Sequence, residues 1–105
     1  MNTKDQARLE ARAEVIKAMS HPSRLRMLEL LADGERCVCE LHRDIGSDMS
    51  TVSRHLGVLK SAGLIADRRA GTSIYYRSVA PCITRFMGCV DSMVKTRVKR
   101  QAALL

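Results

Sequence analysis

Residues 49–63 constrain the fold of this chain most, because their apolar side chains follow the period of a helix. Val52, Leu56 and Leu59 recur at steps of four and three residues, which places them on one helical face. With about 100° of rotation per residue, the opposite face carries small polar side chains, one arginine and a glycine. These residues are Ser50, Arg54, Gly57 and Ser61. The stretch therefore predicts an amphipathic helix, and Gly63 is typical of the position just after a helix end.

The predicted outer face fits the major groove of DNA. Small side chains permit close approach, and an arginine can donate hydrogen bonds to base edges and phosphates. Gly57 costs a helix roughly 1 kcal/mol relative to alanine, so a surface that another backbone must approach would explain its presence. We therefore predict a recognition helix over residues 49–62, with an ordinary amphipathic surface helix as the alternative.

A second short helix is predicted directly before the recognition helix, over residues 35–44. The turn 45–48 separates the two helices and contains Gly46. Two short helices around such a turn are typical of a helix-turn-helix, in which the second helix reads the DNA. A serine or aspartate at the end of this turn can cap the second helix.

Beyond Gly63 the sequence changes to the alternating period of strands, over residues 64–69 and 72–79. Gly71 at the tip can supply the positive φ that a tight hairpin needs. Three arginines make this hairpin basic, which is typical of a wing, residues 64–79, that touches phosphates or the minor groove. A solvated hairpin with scattered charge is the alternative. The DNA contacts expected from the recognition helix and the wing are Ser50, Thr51, Ser53, Arg54, His55, Arg68 and Arg69.

Three further helices are predicted over residues 4–19, over residues 22–32 and from Pro81 onward. Apolar residues of the last helix form one stripe, made of Ile83, Phe86, Met87, Val90, Val94 and Val98. The expected fold is mainly α with a small β-hairpin, a single winged helix-turn-helix domain over residues 1–105. The apolar stripes of helices 1 and 5 are left over and form the expected homodimer interface.

The charge of the chain favours a polyanionic partner. There are 18 basic and 11 acidic residues, a net charge of +7, which suits a nucleic acid or a membrane surface. No apolar run has the length of a membrane span and the N-terminus is no signal peptide, so we expect a cytoplasmic protein without a membrane partner. No glycine-rich phosphate loop, nucleophile with a base, or redox motif is present. The sequence therefore predicts neither an enzyme nor an organic cofactor.

Several sequence blocks resemble the ArsR/SmtB family of winged-helix repressors that sense metals and metalloids. The blocks are residues 20–28, 37–41, 50–56 and 59–65, and the likeness extends over about residues 10–80. The resemblance implies a homodimer that binds an inverted-repeat operator in double-stranded DNA and blocks transcription. It also implies that the repressor releases the operator when its ligand binds.

Within that family, the block Cys37-Val38-Cys39-Glu40-Leu41 is similar to the arsenic-responsive repressors. This likeness implies that the inducer is As(III) or Sb(III) bound by the thiolates of Cys37 and Cys39. The arsenic-responsive members often have a third cysteine where this chain has His42. The third ligand is therefore open between His42, Cys82, Cys89 and a group from outside the protein.

Thiol chemistry leads to the same pair of cysteines and leaves the ion open. Soft thiolates bind As(III) and Sb(III) and also Cd(II), Zn(II) and Cu(I), and a reducing compartment keeps cysteines as thiols. On a regular helix, Cys37 and Cys39 would point about 200° apart, so chelation needs a first turn that is non-helical or that distorts. Such distortion would strain the helix before the recognition helix and weaken DNA binding. Plain packing of two buried cysteines is the alternative.

The remaining cysteines, Cys82 and Cys89, lie seven residues apart on one side of the last helix. We expect them to be small buried residues of the dimer interface. A second hypothesis for the function is a repressor that senses thiol oxidation or persulfides. It predicts a cross-link between one cysteine of the third helix and one of the last.

Overall fold

A computed structural model describes residues 1–104 of the chain. Five helices and three strands lie within these residues. In chain order they are α1 (Thr3–Met19), α2 (Pro22–Ala32), β1 (Arg36–Cys37), α3 (Val38–Ile45), α4 (Met49–Ser61), β2 (Ile65–Ala70), β3 (Ser73–Ser78) and α5 (Ile83–Leu104). None of these helices is long and apolar enough to cross a membrane.

Local chemistry explains where the central helices begin and end. Pro22 occupies the first turn of α2, where its missing N–H costs nothing, and the ring of His21 caps that helix by accepting from Ser23 N at 3.0 Å. The predicted recognition helix is α4, which begins after its cap Asp48 and is followed by Gly63 with a φ of 82°. Both helices lie where the sequence predicted them.

The helix-turn-helix and the hairpin follow each other as expected. Gly46 ends α3 in the left-handed conformation, with a φ of 81°, and the short turn after it leads directly into α4. Strands β2 and β3 are antiparallel and pair from Ile65 with Ser78 to Ala70 with Ser73. The two-residue tip contains Gly71, whose φ of 62° meets the requirement of a tight hairpin turn.

The start of the predicted third helix is wrong, because β1 takes its place. Arg36 and Cys37 are extended and pair with Tyr76 and Tyr75 of β3, so the sheet order is β1-β3-β2. The free edge of β3 offers hydrogen-bond partners that a helical turn at this position would forgo. As a result α3 begins at Val38. The last helix also begins later than predicted, at Ile83 instead of Pro81.

One core holds the recognition helix against the rest of the chain. Val52, Leu56 and Leu59 are each 0% exposed, as the helical period predicted. They pack in one cluster with buried residues of α1, α2, α3 and the start of β2. Those residues are Ala18, Met19, Met27, Leu28, Leu31, Leu41, Leu64 and Ile65.

The outermost helices contribute little to this core. Only Ala18 and Met19 of α1 are buried, and α5 has no fully buried residue within its described length. Five apolar side chains of α5 are 36–63% exposed, and both cysteines of this region are exposed as well. The apolar residues are Phe86, Val90, Met93, Val94 and Val98. Cys82 and Cys89 are therefore exposed in the single chain, and their burial in a dimer interface stays a prediction.

Candidate nucleic-acid interface and cysteine pair

The first turn of α4 is fixed by the carboxylate of Asp48. Its Oδ1 accepts from Thr51 N at 2.7 Å and from Ser50 Oγ at 2.8 Å. The hydrogen bond from the Thr51 backbone, followed by the one from Ser50, lowers the pKa of Asp48 to about 2. The cap is therefore ionised at neutral pH, and Ser50 faces solvent with its oxygen as an acceptor.

The exposed face of α4 matches the face that the sequence placed opposite the core. Ser50, Ser53, Arg54 and Gly57 are exposed, and Thr51 is half-buried. A Cβ added to Gly57 would meet no atom within 4 Å, so nothing in this chain requires a glycine there. In the part of the chain that the structure describes, Arg54 takes part in no ion pair. Its guanidinium is available to a partner molecule.

His55 does not fit its predicted role as a DNA contact, because its side chain faces the interior. It is 5% exposed, and its ring lies 4.3 Å from the ring of His21. Arg24 Nη1 lies 3.2 Å from His55 Nδ1, so the arginine donates and the neutral imidazole accepts. His55 therefore joins the recognition helix to the start of α2. The apolar period could not reveal this, since His55 sits at the edge of the predicted apolar face.

The two arginines predicted to contact DNA from the wing differ in their surroundings. Arg68 donates to Glu35 from Nε at 2.9 Å and from Nη2 at 2.6 Å, and its guanidinium lies 4.7 Å from the centre of the Tyr75 ring. Arg69 is exposed and, among residues 1–104, belongs to no ion pair. Lys60 at the end of α4 reaches Asp67 on β2 at 3.0 Å. Of the two arginines, Arg69 is thus the one that faces outward without an internal partner.

Glu35, Arg24 and His21 are the residues of this region that the sequence analysis missed. Glu35 and Arg68 are 33 residues apart and Arg24 and His55 are 31 apart, so no local spacing connects them. The Glu35–Arg68 pair forms because β1 brings the segment before Cys37 to the wing, and the Arg24–His55 pair forms because α2 packs against α4.

Cys37 and Cys39 lie together at the start of α3 and are joined by a disulfide, with a Cα–Cα distance of 5.3 Å. Cys37 is buried and caps the helix, because its Sγ accepts from Glu40 N at 3.4 Å. The Glu40 side chain in turn accepts from Cys37 N at 3.5 Å, which completes a capping box. Cys37 is thus the last residue of β1 and the cap of α3 at the same time.

At Cys37 the chain is non-helical, which is the first of the two conditions under which the sequence allowed the two cysteines to share one ion. Cys37 has extended backbone angles, φ −76° and ψ 155°, so the two sulfurs meet beside an undistorted helix. After reduction, both thiolates are placed to hold one soft ion. Within residues 1–104, no group of three or more His, Cys, Asp or Glu residues is arranged to hold a metal. His42, Cys82 and Cys89 therefore do not complete the site in the single chain.

The chain is similar in sequence to known transcriptional regulators. The profile of the bacterial regulatory protein arsR family matches residues 21–67. An uncharacterised helix-turn-helix transcriptional regulator of Mycobacterium tuberculosis is 37% identical over 95 residues, which are 90% of this chain and 83% of the relative. An arsenic resistance transcriptional regulator of Pseudomonas putida is 40% identical over 82 residues, which are 77% of this chain and 61% of that protein.

Solved structures share its fold. A homodimeric winged helix-turn-helix DNA-binding domain from Mycobacterium bovis is 34% identical, with a TM-score of 0.79 over 95% of this chain and 93% of that one. The transcriptional repressor BigR from Xylella fastidiosa is 32% identical, with a TM-score of 0.73 over 89% of this chain and 96% of that one. The fold is therefore a winged helix-turn-helix, as the sequence predicted.

Stability should depend on pH through His55. Burial, followed by the charges of His21, Arg24 and Arg54, lowers the pKa of His55 below its ordinary value of 6.5. Just below that value His55 is protonated in the unfolded chain but stays neutral in the folded chain. The contribution of His55 to the free energy of unfolding is therefore complete above pH 6.5 and declines as the pH falls. We expect His55→Asn, which keeps an acceptor for Arg24, to flatten the fall of the urea midpoint between pH 7.5 and pH 5.5.

His42→Asn is the matched control for the His55 experiment, because it removes a histidine that is only half-buried. It should leave the pH dependence close to that of the wild type. A His55→Asn protein whose urea midpoint falls with pH as steeply as the wild type would contradict the interpretation.

Proposed function

Since the chain belongs to the arsR family of bacterial regulatory proteins, we propose that it is a cytoplasmic repressor that releases its operator when As(III) or Sb(III) binds Cys37 and Cys39. The observation that carries the proposal is the meeting of these two sulfurs at the cap of α3. Helix α3 packs against α4, so a change at its cap acts one helix away from the DNA-facing surface. The protein acts by binding and not by catalysis.

The DNA-facing side of the proposal rests on α4 and the wing. Arg54 and Arg69 are exposed and unengaged within the described residues, and Ser50, Ser53 and Thr51 line the same helix. The surplus of basic residues adds a sequence-independent attraction to phosphates. Arg54 is the residue we assign to base readout, because arginine can donate two parallel hydrogen bonds to guanine.

A second copy of the chain accounts for the exposed apolar side chains of the outer helices. Leu9 and Ile16 of α1 are 38% and 53% exposed, and the stripe of α5 adds Val90 and Val94. A small domain often completes its core by association. The similar domain from M. bovis is a homodimer. We therefore propose a dimer through α1 and α5, which presents two recognition helices to the two halves of an inverted repeat.

The thiolates of Cys37 and Cys39 would hold the inducer. As(III) and Sb(III) are soft ions that bind sulfur in preference to oxygen. Ligation would draw negative charge away from the Cys37 thiolate, the atom that accepts from Glu40 N, and so weaken a charge-assisted hydrogen bond. The cap of α3 then weakens while its neighbour α4 is bound to DNA. The likeness to an arsenic resistance regulator of P. putida supports this ion over Cd(II), Zn(II) or Cu(I). A non-protein ligand, or Cys82, Cys89 or His42 after rearrangement, would supply further coordination.

A repressor that senses thiol oxidation is the second candidate, and the Cys37–Cys39 disulfide favours it. A peroxide would take two electrons and two protons from the two thiols, and the S–S bond would form. The O–O bond of the peroxide would break, and each of its oxygens would leave as water or as an alcohol. The bond lies within one segment, so the predicted cross-link between the third and last helices does not describe it. Cys82 and Cys89 are free and exposed.

Arsenite release is the direct test of the proposed inducer. A fluorescent operator duplex bound to the phosphine-reduced protein is titrated with arsenite, without a dithiol that would compete for the ion. We expect the anisotropy to fall to that of free DNA in the wild type. Cys37→Ser and Cys39→Ser should bind DNA with unchanged affinity and not respond.

Cys82→Ser and Cys89→Ser are the matched controls for the cysteine variants, and both should still release the operator. Continued release from Cys37→Ser and Cys39→Ser would place the sensing site elsewhere. Release of the wild type by peroxide but not by arsenite would favour the second candidate.

Removal of the Arg54 guanidinium should weaken specific binding. We expect Arg54→Ala to cost about 1–3 kcal/mol in operator affinity and to relax the preference at one base pair of each half-site. Arg85→Ala removes the same charge from α5 and should change affinity only slightly. Equal losses on operator and random DNA in Arg54→Ala would show that Arg54 contacts phosphate and does not read a base.

A charge in the apolar stripe should separate the dimer. Val94 is 43% exposed in the single chain, and Val94→Glu would bury a carboxylate in the proposed interface. We expect sedimentation to show monomers at concentrations where the wild type is a dimer, together with a loss of operator affinity. Thr96→Glu places the same charge two residues away and should remain dimeric. A dimeric Val94→Glu protein would exclude this face.

A further inference from the structure

The guanidinium of Arg68 connects three segments around the cysteine pair. Two of its nitrogens donate to the carboxylate of Glu35, at 2.9 and 2.6 Å. Its plane lies over the ring of Tyr75 on β3, 4.7 Å from the ring centre. Tyr75 pairs directly with Cys37 in the sheet, and Glu35 precedes β1. The segment leading to Cys37 and both strands of the wing thus meet at one side chain.

The contact is more ordered than a common surface ion pair. An exposed pair with one flexible contact contributes little, but a two-pronged arginine–carboxylate contact fixes direction as well as distance. The cation–π contact with Tyr75 attaches the same guanidinium a second time. Arg68 lowers the pKa of Glu35, so the carboxylate remains charged at neutral pH. The position of Arg68 along β2 is also fixed, because Arg68 pairs with Tyr75 across the hairpin.

We propose that Arg68 is a positioning residue of the wing and that Glu35–Arg68 couples the wing to the cysteine pair. The inference rests on the proposed function, but it changes the role that the sequence gave to Arg68. The wing touches DNA through Arg69 and its neighbours, while Arg68 holds the hairpin against β1. Ligation at Cys37 would act on the end of the two-residue strand β1, and this strand is tied to the wing by its pairing with β3 and by Glu35.

The coupling gives the cysteine pair a second way to affect DNA binding. One route passes through the cap of α3 to the recognition helix, and the other passes through β1 to the wing. Both routes begin at Cys37, because this residue is the cap of α3 and the end of β1. Ligation of the thiolates would therefore loosen contacts in both grooves, not in one.

Exchanging the charges of Glu35 and Arg68 distinguishes a positioning role of Arg68 from a direct contact of Arg68 with DNA. Glu35→Arg adds positive charge near the wing, so plain attraction to phosphate predicts tighter binding. The proposal predicts the opposite, a loss of about tenfold, because two arginines repel and the wing leaves its position. Arg68→Glu should lose affinity to a similar extent. The double variant Glu35→Arg with Arg68→Glu should recover to within about threefold of the wild type, since the pair is restored in reverse.

Arg69→Glu is the matched control, because it reverses an adjacent wing charge that has no internal partner. It should lose affinity and not be rescued by Glu35→Arg. Failure of the double variant to recover, at a urea midpoint equal to that of the wild type, would overturn the proposal and return Arg68 to the DNA contacts. Tighter binding by Glu35→Arg alone would overturn it as well.

The coupling to the thiols is measured on Glu35→Gln and Arg68→Gln with the same operator. The ratio of operator affinities without and with arsenite should shrink in both variants relative to the wild type. An undiminished ratio would show that the wing does not carry the response. If the wild type itself ignores arsenite, the proposed inducer fails, whereas the charge exchange still decides the role of Arg68, because it uses no inducer.

Discussion

The complete burial of Val52, Leu56 and Leu59 is the constraint on which the rest of the structure depends. These three side chains hold α4 in the core from one face, with Leu41 of α3 in the same cluster. The opposite face therefore does not pack against the core and can carry polar groups and Gly57. A DNA-reading surface needs this separation, because residues that hold the helix in place cannot also be exchanged to suit a base sequence.

Cys37 is the point where the elements of the fold meet. Its backbone ends a strand that pairs with the wing, its sulfur caps α3, and its side chain contacts the second cysteine. Because Cys37 makes all three contacts, a bond formed or broken at its sulfur would act on both the helix-turn-helix and the hairpin.

The sequence predicted the parts of the fold that follow a local period. The amphipathic helices, the hairpin and the ends at Pro22 and Gly63 are set by neighbours in the chain. Apart from the starts of α3 and α5, the structure has them where they were expected. The sequence did not predict β1, since a two-residue strand exists only through β3, nor did it find the pairs that join distant segments. For the same reason His55 and Arg68 were assigned to DNA, although Arg24 contacts His55 and the carboxylate of Glu35 binds Arg68. The DNA contacts and the thiol ligands remain predictions.

The sheet order β1-β3-β2 leaves β2 with one side that no strand covers. Six residues of extended chain with open hydrogen-bonding groups are a template on which another protein molecule can add a strand. The consecutive charges of Asp67, Arg68 and Arg69 lie on this strand, and desolvating them would oppose such addition. The charges of the wing thus also oppose aggregation. Replacing them to weaken DNA binding would therefore lower the solubility of the protein as well.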